Sequence, residues 1–341
     1  PVADGGEGTV EAAVASGFRP HRATVQGPLG QRVEAVFATN ERTAVVELAQ
    51  ASGLQLLPEP GPSSQTAALA TTYGTGELLA AALDAGATRI VLGLGGSATT
   101  DGGAGMLQAL GATFRDVAGE VLRPGLAHPS AIASADLTGL DPRIAAAEIV
   151  VATDVDNPLC GPRGAAAVFG PQKGATPDLA LALDRDLGRW ARVLSAAGVT
   201  ASPDHPGAGA AGGVGFAALG ALRSTARPGV DVVLDLVGFE HLLADACLVV
   251  TGEGSLDEQS LGGKAPIGVL RAAQAQGVPT VVVAGRCTLD PGVLARAGFQ
   301  AVHTLQDLEP DLATCIREAP RLLREVGREL KVPPSGRRAG P

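Results

Sequence analysis

The sequence predicts an α/β fold in which a Rossmann-like parallel-sheet domain is interrupted by a second, inserted α/β domain with antiparallel hairpins. Three observations lead there. Short apolar runs ending in Gly or Asp recur along the chain, as buried parallel strands do. Ala/Leu-rich segments of helical length follow most of them. Residues 22–58 instead show a rough period of two, broken by "GPLG" and "TNER", the pattern of antiparallel hairpins.

In chain order, "PVADGGEGTV" (1–10) reads as the end of a strand, then a turn, then a helix over 10–17. An element upstream of Pro1 is therefore expected. After the hairpins, helices are expected over 76–86, 103–111, 178–197, 210–222, 264–276 and 311–330, and buried strands in "RIVLGLGG" (89–96), "EIVVATD" (148–154), "CLVVTGEG" (247–254) and "TVVVAG" (280–285). A hairpin stretch after a βα start and before further α/β units places the Rossmann-like domain at 1–19 and 241–331, lacking its first strand and helix, with 20–240 as the insertion. The low-complexity tail 332–341 is expected to be disordered.

At 341 residues and 45% apolar, the chain can bury a sizeable core. Aromatic residues are only 3%, so stacked nucleobases are not expected. A net charge of −9 and a pI near 5.1 argue against nucleic-acid and anionic-membrane partners, which need clustered cations. No run is long and apolar enough to span a bilayer, and the first residues carry Asp and Glu where a signal peptide carries Lys or Arg, so a cytoplasmic location is expected. The four cysteines lack metal-ligand spacing and read as reduced thiols. Of 26 cationic residues only Lys173, Lys264 and Lys331 are lysines; the first two adjoin glycine, where a compact ammonium can approach a phosphate.

Four glycine-rich stretches each follow a strand. In open α/β sheets ligands lie beyond the carboxyl ends of the strands, where glycines let backbone N–H groups close on phosphate oxygens. In the first, Asp4 and Glu7 stand at a strand end among Gly5, Gly6 and Gly8. The second, "LGLGGSATTDGGAG" (92–105), offers Gly95, Gly96, Ser97 and Thr99 as an anion nest, with Asp101 as a possible Mg²⁺ contact. The third, 150–176, sets Asp154, Asp156 and Asn157 near Arg163 and Lys173: a carboxylate to take a hydroxyl proton beside cations that neutralise phosphate, the requirements of phosphoryl transfer to an alcohol. The fourth, 249–270, carries Gly252, Glu253, Gly254, Asp257 and Ser260, with Lys264 heading a helix; Glu253 and Asp257 are candidate Mg²⁺ ligands. The alternative for each is structural, as solvated turns, helix caps or close packing. The segment around Lys264 fails the Walker pattern, and the G-x-G-x-x-G match at Gly207, Gly209 and Gly212 follows "TASPDHP" rather than a strand.

Together, "PVADGGEGT", "GLGGSATTDGGAG", "TDVDNPLCGP", "FGPQKGA", "PGAGAAGG" and "TGEGSLDEQSLGGKAP" closely resemble the bacterial glycerate kinases of type I, over residues 1 to about 290. The resemblance implies transfer of the ATP γ-phosphoryl group to D-glycerate with Mg²⁺, most often giving 2-phosphoglycerate, 3-phosphoglycerate being the other product. It implies a site between the two domains. It also implies an upstream strand and loop, with a Lys and a Ser facing the site, that this sequence does not contain. Asp4, Gly5, Gly6, Glu7 and Thr9 match one family motif and Gly95, Gly96, Ser97, Thr99 and Asp101 the next. Asp154, Asn157 and Lys173 fall in the third, and Glu253, Asp257, Ser260 and Lys264 in the fourth. The mechanism expected from these residues is in-line transfer. Asp154, or alternatively Asp4, accepts the glycerate hydroxyl proton; Mg²⁺ is held by Glu253 or Asp257; Lys264 and Lys173 offset the developing charge. Asp4, Glu7, Asn157 and Arg163 are expected at the substrate, and Gly95, Gly96, Ser97, Thr99, Gly252, Gly254 and Ser260 at the nucleotide. A kinase for another small hydroxy acid and a non-catalytic sugar-acid-binding regulator are the alternatives, with monomer and homodimer both open.

Overall fold

The computed structural model describes residues 2–125, 128–261 and 265–330. The chain divides into two compact units, Ala3–Val233 and a second beginning at Leu234.

The first unit holds strands β1 (Arg19–Gln26), β2 (Arg32–Asn40), β3 (Thr43–Glu47), β4 (Arg89–Gly93), the short β5 (Thr113–Arg115) and β6 (Ser134–Asp136), β7 (Glu148–Ala152) and β8 (Thr225–Arg227). Six of them make one sheet in the order β1-β2-β3-β4-β7-β8. The expected hairpins are β1-β2 and β2-β3, both antiparallel, with turns at the two predicted breaks. From β3 onward the sheet is parallel, with Val45 beside Val91 and Val91 beside Val150. The pattern follows from burial: β1 is largely exposed and alternates, whereas β4 and β7 are apolar and buried after their first residues, Arg89 and Glu148.

Helix Tyr73–Asp84 connects β3 to β4 and packs on the sheet. Helix Pro177–Ala196 starts where Thr176 Oγ1 accepts Leu179 N–H and Pro177 occupies the first turn. Its buried stripe Leu183, Leu187, Trp190, Leu194 recurs every three or four residues, the period of one helix face. Trp190 meets Phe114 edge to face at 5.3 Å, and its indole donates to Gly102 O at 2.9 Å. Ala210–Ala221 departs from the predicted regular helix: Ala211, Gly212 and Gly213 are left-handed, with φ of 51°, 68° and 96°. Gly212 lies against the Thr99 carbonyl, where a side chain would collide, and its own carbonyl accepts Gly102 N–H at 3.0 Å.

The second unit has a parallel sheet of order β11-β10-β9, from β9 (Val249–Leu256), β10 (Thr280–Cys287) and β11 (Ala301–Thr304). Helix Ala265–Ala275 packs on β9 and helix Leu312–Glu329 on β10. One core gathers Leu256, Leu270, Val282 and Phe299; another gathers Leu305, Cys315, Leu322 and Val326. No helix among the described residues is long and apolar enough to cross a membrane.

Candidate active site

The parallel strands of the first unit end side by side at Glu47, Gly93, Ala152 and Arg227. Across these ends runs the loop Asp4–Gly8. It can lie there because the glycines just beyond the strands carry no side-chain bulk: a methyl on Gly95 would overlap the Gly6 backbone, and one on Gly229 would overlap the Asp4 carbonyl. Gly95 N–H donates to Gly5 O at 3.4 Å, and Gly6 N–H donates to Asp4 Oδ1 at 3.3 Å. Glu7 lies against Gly96, where a Cβ would sit 3.0 Å from Glu7 Oε1. Asp4, Glu7 and Asp154 are exposed; Gly5 and Gly6 are buried. The acids among glycines at the start of the chain are thus the exposed points of a backbone strap on a sheet edge.

Two buried ionisable side chains hold the loops of this edge. Glu47, 2% exposed, accepts Val10 N–H at 2.5 Å. Helix Thr9–Ala15 has Gly8 at its N-cap and no side-chain cap there, so the carboxylate closes the helix from another strand. Burial pushes the Glu47 carboxyl above the usual range, the Glu7 charge pushes the same way, and the Val10 and Gln50 donors partly oppose them. The sequence reading missed this residue; its signal was a lone acid closing the apolar run "TAVVE". Lys173, also 2% exposed, donates through Nζ to Ser97 Oγ at 2.8 Å and Thr99 O at 2.6 Å. Burial pushes its ammonium down to about 7, against the pull of Asp101.

Asp101 builds the loop. Its Oδ2 accepts Thr72 N–H at 2.7 Å, Thr72 Oγ1–H at 2.8 Å and Gly105 N–H at 3.2 Å, and its Oδ1 accepts Gly103 N–H at 3.1 Å. It is fully buried and committed to protein donors, so the expected Mg²⁺ contact has no open oxygen there. Asp154 follows β7, with Oδ1 accepting Gly229 N–H at 2.7 Å, so Asp4 and Asp154 both lean on Gly229. Asn157 and Arg163 tie their own loop: Asn157 Nδ2 donates to Arg163 O at 2.7 Å, and the exposed Arg163 guanidinium pairs with Asp156 at 3.2 Å.

The first unit thus brings together Asp4, Glu7, Gly95, Gly96, Ser97 and Asp154, with Lys173 and Thr99 beneath. In the second unit β9 continues through the fourth glycine stretch. Gly252 and Gly254 are strand residues, and a Cβ on Gly252 would collide with Val283 O. Glu253 is half-buried beside Ala284. Asp257 and Ser260 close a local turn: Ser260 N–H donates to Asp257 Oδ1 at 3.3 Å and Asp257 N–H to Ser260 Oγ at 3.1 Å. Lys264 lies outside the described residues. Among the described residues no three His, Cys, Asp or Glu side chains group as a metal cage. An ion that needs only one or two carboxylates, with water and phosphate completing its shell, suits the exposed acids present.

The family model of the glycerate kinase family matches residues 1–332. A glycerate kinase of Bacillus subtilis (strain 168) is 45% identical over 333 residues, covering 97% of this chain and 86% of that protein. A glycerate 2-kinase of Escherichia coli (strain K12) is 44% identical over 309 residues, covering 89% and 80%. A solved structure from Salmonella typhimurium LT2, assigned as glycerate kinase 2, superposes with a TM-score of 0.78 at 42% identity, covering 97% of this chain and 89% of that one.

Proposed function

The chain belongs to the glycerate kinase family, and from that premise we propose that it transfers the γ-phosphoryl group of ATP to D-glycerate, giving 2-phosphoglycerate, with the reacting hydroxyl at the glycine-lined edge of the first unit. The observation that carries the reading is the exposed Asp154 carboxylate, steadied by Gly229 N–H beside the Asp4–Glu7 strap at the carboxyl ends of parallel strands. Asp154 takes the proton as the glycerate oxygen bonds to the γ-phosphorus and the bond to the bridging oxygen of ADP breaks. Asp4, on the same Gly229, is the second candidate base. Gly95, Gly96 and Ser97 face phosphate oxygens, and Glu7 lies at the substrate with them.

In the second unit Glu253 and Asp257 are the candidate Mg²⁺ ligands. The ion, when bound, neutralises phosphate charge and orients the leaving group. Lys264 keeps its expected role against the phosphates. The test is ATP consumption with D-glycerate and a panel of other small hydroxy acids, with phosphorus NMR of the product. Phosphate on the C3 oxygen, or a preference for another acid, overturns the assignment of product or substrate. Asp154→Asn should lower kcat by about 10²–10³. Wild-type kcat in that variant moves the base to Asp4.

A further inference from the structure

Lys173 stands beside the glycine loop, yet its ammonium is enclosed. Residues Pro171–Lys173 form a 3₁₀ turn closed by left-handed Gly174, which sends the side chain inward. Nζ ends between Ser97 Oγ at 2.8 Å and Thr99 O at 2.6 Å, and with 2% exposure it has no open path to a phosphate. A lysine that neutralises transferred charge must reach that charge; this one reaches the loop.

Ser97, 7% exposed, belongs to the glycine loop itself. Its backbone neighbours are pinned on both sides, Ala98 N–H to Ser52 O at 2.9 Å and Leu54 N–H to Gly96 O at 2.9 Å. Its hydroxyl has Lys173 Nζ as its one hydrogen-bond partner among the described residues. A hydroxyl carries one hydrogen and two acceptor lone pairs. In its charged form, below about pH 7, Lys173 has only donors, so it must occupy a lone pair of Ser97 Oγ and cannot receive the Ser97 hydrogen. That hydrogen is left to point away from Lys173.

We propose that Lys173 is a positioning residue: it fixes the Ser97–Thr99 loop and turns the Ser97 hydroxyl hydrogen outward, as a donor to a phosphate oxygen of the nucleotide. This rests on the proposed function, in which Ser97 faces phosphate. Lys173 then acts through Ser97 and touches no substrate. Asp101, buried behind the same loop, supplies the negative charge that helps an enclosed ammonium persist.

The experiment is a double-mutant cycle in the full chain at pH 6.5, where Lys173 is charged, with Ser97→Ala, Lys173→Met and the pair, read twice: in kcat/KM for ATP with D-glycerate present, and in Kd for Mg·ATP by calorimetry. Each single change is expected to cost about ten- to a hundredfold, the worth of one hydrogen bond to a charged oxygen. Both losses should fall in the same parameter, and the pair should be no worse than the worse single. Losses that multiply overturn the proposal, because Lys173 then acts independently of Ser97. Ser97→Ala at wild-type values also overturns it and leaves the phosphorylation of glycerate standing. A wild-type chain that binds Mg·ATP without turnover defeats the proposed function, while the calorimetric cycle still decides the role of Lys173. Where Lys173→Met does not fold, Lys173→Gln and Lys173→Ala replace it. Gln keeps a donor on a shorter stem and should recover part of the loss, whereas Gln as poor as Ala at this position overturns the proposal.

Discussion

Replacing Lys173 with Met removes a buried amine whose ionisation opposes folding, and the cost can be worked from its surroundings. In the unfolded chain the amine ionises near 10.5; in the fold, burial brings it down to about 7. Between these values the unfolded state binds the extra proton, so stability rises with pH across that window, by about 1.4 kcal/mol per unit at most. Over the full window this comes to about 5 kcal/mol, fully lost below pH 7, where the ammonium is buried and charged. Lys173→Met, of similar length and without charge, should lack this slope and gain most on wild type at pH 6–7. The chain has a single Trp. Trp190 is fully buried in the first unit, so its fluorescence in urea reports the unfolding of that unit. Titrations at pH 6.5, 7.5, 8.5 and 9.5 should give curves that converge as pH rises. Parallel curves for the two proteins would refute the reasoning, since the amine would then ionise alike in both states.

Three further outcomes are expected. Gly95→Ala drives a methyl into the Gly6 backbone and should lower the stability of the first unit by about 1–3 kcal/mol, with loss of glycerate phosphorylation; an unchanged Tm with full turnover would show that the strap does not need this approach. Glu47 has its carboxyl raised in the fold, so its contribution falls as pH climbs through and above 4.5. Glu47→Gln, which keeps an acceptor for Val10 N–H, should flatten that fall and raise the urea midpoint at pH 7, and a lower midpoint there would mean the ionised carboxylate is itself the better cap. Lys264→Ala should fold with an unchanged urea midpoint yet lose about 10²–10³ in kcat; near-normal kcat removes Lys264 from the phosphate site.

Much of the fold was legible because strand and helix periods differ and each apolar run stops at a turn residue. The runs at 89–96 and 280–285 became β4 and β10, and the period-two stretch became the β1–β3 hairpins. What was not legible is what depends on distant partners. Asp101 before two glycines looks the same whether it meets a metal or Thr72, and Thr72 is 29 residues away. Glu47 finds its purpose in Val10, 37 residues distant, which no local pattern encodes. The rarity of Lys173 was visible in composition; that it serves Ser97 from below rather than a phosphate from the front needed packing to be known. The left-handed break at Ala211–Gly213 was likewise hidden, because the Thr99 carbonyl that imposes it comes from another loop.

Gly229 holds two acids at once, receiving the Asp4 carbonyl against its Cα and giving its N–H to Asp154. During synthesis Asp4 leaves the ribosome first and Asp154 much later, yet neither meets this support until residue 229 has cleared the exit tunnel. A nascent first unit stalled short of that point can have most of its core and still lack the reactive edge. The pairing of Asp4 and Asp154 on Gly229 is therefore completed late in translation, at a chain length that arrested intermediates of stepped length would locate.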